Sequence, residues 1–305
     1  MLLQKRHLLV ILYKYLNLFL ANYMRFSTRI QVLLCLILPL YAIAPWAQPG
    51  QIVNQPQQMF PPPQQMFAEP SKTPAPQGPK SLIIGVDSFV PPFVMQGGNG
   101  ELYGYDISMM NSLCKILQRS CQFQIFKWVE LIPAVMNNKV DLAVSSITIT
   151  PERAKQMNFS LPYTLSYSRF LTNNDTPTTN PFSLNSLNGK KIGVYKGTIY
   201  EDQASHIGVT DPVIKTYEGY QDALKALTNK EIDYILLDNP AALYWAANSS
   251  GAFKAIGAPY VYGFGIAIVI SETDKAMIPA LNKALLQYQN SEDYRQNYHR
   301  FLESF

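Results

Sequence analysis

The sequence predicts an α/β fold of two lobes facing each other across a hinged cleft. Three observations carry this expectation. From residue 81 onward short apolar strands alternate with amphipathic helices, the pattern of a parallel sheet covered by helices on both faces. The alternation restarts at Lys191-Ile192-Gly193-Val194-Tyr195, so two sheets are expected. Polar, Pro-rich Thr172–Pro181 and a weaker break at Ala258–Gly263 assign 81–171 with 265–305 to lobe 1 and 172–264 to lobe 2. Two crossings between lobes make a hinge that closes over a ligand.

Each element follows from its residues. Leu82-Ile83-Ile84-Gly85-Val86 reads as a short buried strand, and Ile107, Met110, Leu113 and Leu117 recur at helical spacing. Phe123–Phe126 is expected as a strand, Leu131–Asn138 as a helix and Val140–Ser145 as the next strand. After the restart come the helix Tyr220–Thr228, the strand Ile232–Leu237 and the helix Ala241–Ala247. The strand Gly265–Ile270 precedes helices over 273–289 and 292–303. Ligands of such sheets sit at the C-terminal strand ends, here in the cleft between the lobes.

The 305 residues are 48% hydrophobic and only 15% charged, which excludes a disordered polyelectrolyte. The formal charge of +4 is misleading, because residues 1–47 hold five cations and no acids. The remainder is near neutral and gives no footprint for nucleic acid. Arg25 and Arg29, the apolar run Ile30–Leu40 and the small residues before Ala47 have the form of a secretory signal cut after Ala44 or Ala47. That places the natural start at Met24, with Met1–Tyr23 upstream of it. The alternative is a membrane anchor, for which Ile30–Leu40 is short. A lipid-attachment site is disfavoured by bulky Leu34 before Cys35. Residues 48–80 are Pro- and Gln-rich, with Gln-Gln-Met-Phe occurring twice, and read as a tether.

Cys114 and Cys121 lie seven apart. Export to an oxidising compartment favours their pairing, with two buried thiols as the alternative. His7, His206 and His299 have no metal-ligand spacing, so neither a metal nor a cofactor is expected.

The most informative stretch runs from Asp141 through Ser145-Ser146-Ile147-Thr148-Ile149-Thr150-Pro151-Glu152-Arg153. A buried strand runs out into hydroxyl residues and a helix start, with Thr150 as N-cap and Pro151 in the first turn. Free N–H groups there attract an anion, and the Arg153 guanidinium adds bidentate capture of a carboxylate. An ordinary surface arginine on a capped helix is the competing interpretation.

This stretch resembles the first-lobe binding segment of the periplasmic polar amino-acid-binding proteins, the type II solute-binding proteins of ABC importers. Gly104-Tyr105-Asp106-Ile107 before an apolar helix and Phe159-Ser160-Leu161-Pro162-Tyr163 are similar to that family's signatures, except that Ser108 stands where an acid is usual. The likeness spans residues 81–305 and implies the two-lobe periplasmic-binding-protein type II fold. It makes Arg153 the α-carboxylate arginine, with Ser145, Ser146 and Thr148 as hydroxyl and backbone contacts. Trp128 becomes the aromatic that stacks on the ligand, Asp87 a carboxylate near its far end, and Asp238 the partner of the α-ammonium. The spacing of Cys114 and Cys121 matches a disulfide of the basic-amino-acid branch. The family's second aromatic falls at Val90, leaving Phe89 or no residue for that role. Ile199 replaces a small or hydroxyl residue, while Thr198 and Glu201 have capping-box spacing.

Taken singly, Trp128 reads equally as core, Asp87 as a cap of the Pro91-Pro92 loop, and Asp238 as a helix cap. Together they make an anion site, a cation site and an aromatic wall. The function implied is binding of a polar, basic amino acid in the periplasm by a monomer that delivers it to an ABC permease and is not an enzyme. Arginine is expected first, with lysine, histidine or glutamine weaker. The alternatives are a periplasmic dehydratase-like enzyme on the same fold and a membrane-tethered amino-acid sensor.

Overall fold

The computed structural model describes residues 81–179 and 181–303. The expected signal, its start at Met24 and the tether lie outside them. In chain order the first lobe opens with β1 (Leu82–Asp87), the hairpin β2 (Met95–Gln96) and β3 (Leu102–Tyr103), and α1 (Tyr105–Ile116). It continues through β4 (Cys121–Phe126), α2 (Trp128–Met136), β5 (Leu142–Ala143), α3 (Pro151–Ala154) and β6 (Asn158–Phe159). Then follow β7 (Tyr167–Asn173), β8 (Lys191–Tyr195), α4 (Tyr200–His206), β9 (Val213–Tyr217), α5 (Tyr220–Thr228), β10 (Tyr234–Asp238), α6 (Asn239–Asn248) and β11 (Phe253–Val261). The chain returns through β12 (Val269–Ile270) to α7 (Ile278–Gln289) and α8 (Glu292–Tyr298).

Two five-stranded sheets form, in the orders β4-β1-β5-β12-β6 and β11-β7-β10-β8-β9. Each has a parallel trio, β4-β1-β5 and β10-β8-β9, as the alternating pattern predicts. The sheets are mixed, however, not wholly parallel. β12 runs antiparallel to β5 and β6, and β7 antiparallel to β10 and β11. These strands lie where the chain passes between lobes, so they enter each sheet from the opposite end.

The lobe boundary also moves. β7 starts at Tyr167 and pairs only within the second sheet, so the outward crossing falls at 164–166, ahead of the expected break after 171. Tyr167–Leu171 reads as a continuation of lobe 1, because the polar segment that follows is a loop inside lobe 2. The return crossing lies between Val261 and Gly265. The two crossings are tied by the Tyr262 N–H donating to the Ser166 carbonyl at 3.2 Å.

Gly104 shows why the Gly-Tyr-Asp signature has a glycine. Its φ is +127°, and a Cβ there would lie 2.3 Å from the Phe93 carbonyl oxygen. That close approach lets the Tyr105 and Asp106 N–H groups donate to the Pro92 and Phe93 carbonyls at 3.0 Å each. It starts α1 with the Asp106 side chain fully buried. Cys114 at the end of α1 is disulfide-bonded to Cys121 at the start of β4.

Candidate functional site

Lobe 1 places its polar residues on the loop that leaves β5. Asp106 organises that loop: its carboxylate accepts from the Ser146 N–H at 2.9 Å and the Tyr163 hydroxyl at 2.8 Å. Ser146 is thereby held at a φ of +54°, a strained conformation for a residue with a side chain. From there its hydroxyl donates across the cleft to Asp238 at 3.0 Å. Thr150 caps α3 by accepting from the Arg153 N–H at 3.2 Å, and Pro151 takes the first turn, as the sequence predicts. Arg153 Nη1 donates to the Thr148 carbonyl at 3.0 Å. Its guanidinium carbon lies 5.7 Å from the Trp128 ring centroid, so indole and backbone together fix the planar head. Burial lowers the pKa of Arg153.

Lobe 2 faces this loop with the C-terminal ends of its strands. Asp238 ends β10, and its side chain makes no cap bond to α6. Instead it accepts from Ser146 and from the Tyr200 hydroxyl. Burial pushes its pKa up to about 6 against those two bonds. Asp106, behind Ser146, is pushed up to about 7, chiefly by burial and further by the charge of Asp238. Tyr195 ends β8, Tyr220 opens α5, and their rings stand 5.0 Å apart. Tyr195 also meets Trp128 of lobe 1 at 6.2 Å.

A narrow cavity of about 20 Å³ lies between the lobes, room for little more than a water as the two lobes stand. Of the residues expected in the site, Trp128, Ser145, Ser146, Thr148, Arg153, Thr198, Ile199 and Asp238 all line it. Arg153, Thr198 and Ile199 also face an outer cleft of about 760 Å³.

Two expected residues are not on the wall. Phe89 packs edge-on against Trp245 at 6.1 Å. Asp87 is fully buried and accepts from the Ser88 N–H at 2.6 Å, the Ser88 hydroxyl and the Phe89 N–H, so it does cap the loop after β1. Burial raises its pKa, and these bonds oppose the rise. The capping box of Thr198 and Glu201 is also replaced. The Thr198 hydroxyl accepts from the Tyr200 N–H at 3.4 Å and donates to the Tyr195 carbonyl, with Ile199 at the N-cap position.

Val90, where the resemblance places the family's second aromatic, lines the cavity, and Tyr195, Tyr200 and Tyr220 join it without having been singled out from the sequence. Tyr195 was within reach, since it closes the strand that restarts the fold and strand ends carry ligands. Tyr200 and Tyr220 open helices, where an aromatic is ordinarily core.

A guanidinium at one part of a small cavity, a buried carboxylate at another and four aromatic rings around them form a set of partners for a zwitterion. Among the described residues no helix is long and apolar enough to cross a membrane, and no His, Cys, Asp and Glu cluster could hold a metal. The chain is 32% identical over 216 residues to the ABC transporter arginine-binding protein 1 of Escherichia coli, covering 69% of this chain and 86% of that protein. It is 28% identical over 223 residues to the arginine-binding periplasmic protein of Mannheimia haemolytica, with coverage of 72% and 90%. An arginine 3rd transport system periplasmic binding protein from Legionella pneumophila superposes with a TM-score of 0.68 at 35% identity, over 72% of this chain and 99% of that one. The model of the bacterial extracellular solute-binding proteins, family 3, matches residues 82–304, and the chain belongs to that family.

Proposed function

We propose that the protein binds a basic amino acid, arginine in first place, in the periplasm and hands it as a monomer to an ABC permease. One observation carries the reading: Arg153 of lobe 1 and Asp238 of lobe 2 line the same small cavity, so a ligand with an α-carboxylate and an α-ammonium bridges the lobes. The aromatic wall suits a flat cation, since guanidinium stacks on indole and phenol faces. The arginine-binding names of the relatives agree with that choice. A dehydratase acting on prephenate-like acids needs no partner for an amine, and Asp238 opposite Arg153 therefore favours binding over catalysis. Delivery from the periplasm requires the leader to be cut, whereas a tethered sensor keeps it.

Calorimetry against the twenty amino acids tests the ligand. Arginine is expected to bind tightest, with lysine, histidine and glutamine weaker. Absence of arginine binding sinks the assignment. Mass spectrometry of exported protein reads the mature N-terminus, and an intact Met24 or Met1 would remove the periplasmic carrier reading.

A further inference from the structure

The side-chain end of the cavity contains a pairing that the sequence does not announce. Asp87 lies beneath the aromatic wall, and besides its three loop bonds it accepts from the Tyr195 hydroxyl at 3.0 Å, across the lobes. Asp87 is fully buried and off the cavity wall, so Tyr195 stands between it and the ligand space. Tyr195 itself lines the cavity. With its O–H given to Asp87 and one lone pair taken by the Trp128 backbone N–H, the phenol oxygen keeps one acceptor position. Donation to a carboxylate strengthens that acceptor, because linked hydrogen bonds polarise one another. The Trp128, Tyr195 and Tyr220 rings form a chain with spacings of 6.2 and 5.0 Å, and aromatic faces attract a cation.

We propose that Tyr195 is the specificity-determining residue for the far end of the ligand. Its hydroxyl, donating to Asp87, accepts an N–H from the ligand's side chain, and Asp87 is a positioning residue that acts through it. The class selected is an amino acid whose side chain ends in an N–H donor, cationic in preference to neutral. This inference rests on the amino-acid-binding reading above.

Calorimetry on the unaltered protein, Tyr195→Phe, Asp87→Asn and the double variant tests it. The two probes are arginine and norleucine, an unbranched amino acid with no donor at its tip. Melting temperatures verify folding. Tyr195→Phe keeps the ring and should weaken arginine about tenfold, the size expected for a lost hydrogen bond to a charged group, while norleucine stays within about twofold. Asp87→Asn should weaken arginine less, and should add nothing in the Tyr195→Phe background. Arginine binding by Tyr195→Phe as tight as or tighter than by the unaltered protein overturns the inference, because a freed Asp87 then serves the ligand directly. Equal losses for both probes, or the same Asp87→Asn effect in both backgrounds, overturn it too. An unaltered protein that binds no amino acid fails the broader reading, whereas one that binds arginine but is indifferent to Tyr195→Phe fails this inference alone.

Discussion

Beside Val90 and Trp128, lobe 1 meets the cavity with Ser145, Ser146, Thr148 and Arg153, each hydrogen-bonded within its own lobe, whereas lobe 2 brings three tyrosines together with Thr198, Ile199 and Asp238. The Ser145 hydroxyl accepts from the Asp87 N–H at 2.7 Å, Ser146 hangs from Asp106, and the Thr148 and Ser166 hydroxyls pair at 3.0 Å. Those bonds leave few ways for the loop to move, so the anion end is preorganised. Tyr195, Tyr200 and Tyr220 are bulky walls whose hydroxyls reach to Asp87 or Asp238 or stay among rings. The contrast teaches that the carboxylate end sits on a braced loop of one lobe, while the ammonium partner Asp238 comes from the other, so the α-group socket is complete only where the lobes meet.

The sharpest way to break the comparison is at its polar end. Arg153→Ala should abolish binding of every amino acid, at a cost of about 2–5 kcal/mol, because the ligand carboxylate is left desolvated and unpaired. The fold should persist, since Thr150 still caps α3. Equilibrium titration with arginine checks this, and near-native affinity removes Arg153 from the site.

The next effect is structural and confined to lobe 1. Gly104→Ala drives a Cβ into the Phe93 carbonyl at a positive φ. It should cost more than about 2 kcal/mol in urea unfolding. By loosening Asp106 and Ser146 it should also weaken arginine and norleucine alike, unlike a change at Tyr195. A variant as stable as the parent would show that the socket does not depend on this approach.

The smallest effect sharpens the role of Asp238. Its folded pKa of about 6 lies above the ordinary carboxylate value of 3.8. The folded protein therefore keeps a proton that the unfolded chain has shed. That contribution to stability is present below 3.8 and is lost as pH rises through about 6. Ligand affinity runs the opposite way, because the α-ammonium needs the ionised acid. Arginine binding should fall about tenfold between pH 7 and pH 5. Asp238→Asn should bind more weakly with a flatter profile, which separates this acid from Asp106 titrating behind Ser146. Calorimetry at several pH values on both proteins reads the difference, and parallel profiles would remove Asp238 from the ammonium site.

Local chemistry made the polar end legible. Thr150, Pro151 and Arg153 form a helix start within four residues, and the buried run into Ser145 and Ser146 marks a strand end, so periodicity and capping rules alone reach them. The parallel trios of both sheets follow from the same periodicity. What only the tertiary structure decided is which long-range partner each group finds. Nothing near Asp87 in sequence says that Tyr195, a strand end of the other lobe, donates to it, and nothing near Asp238 says that its carboxylate faces Ser146 instead of capping α6. β7 and β11 were equally hidden, because an antiparallel strand entering a second sheet carries no local signal of which lobe will pair with it. Helix starts, strand ends and turns depend on neighbours in the chain, whereas hydrogen-bond saturation and lobe membership depend on which distant atoms burial brings within 3 Å.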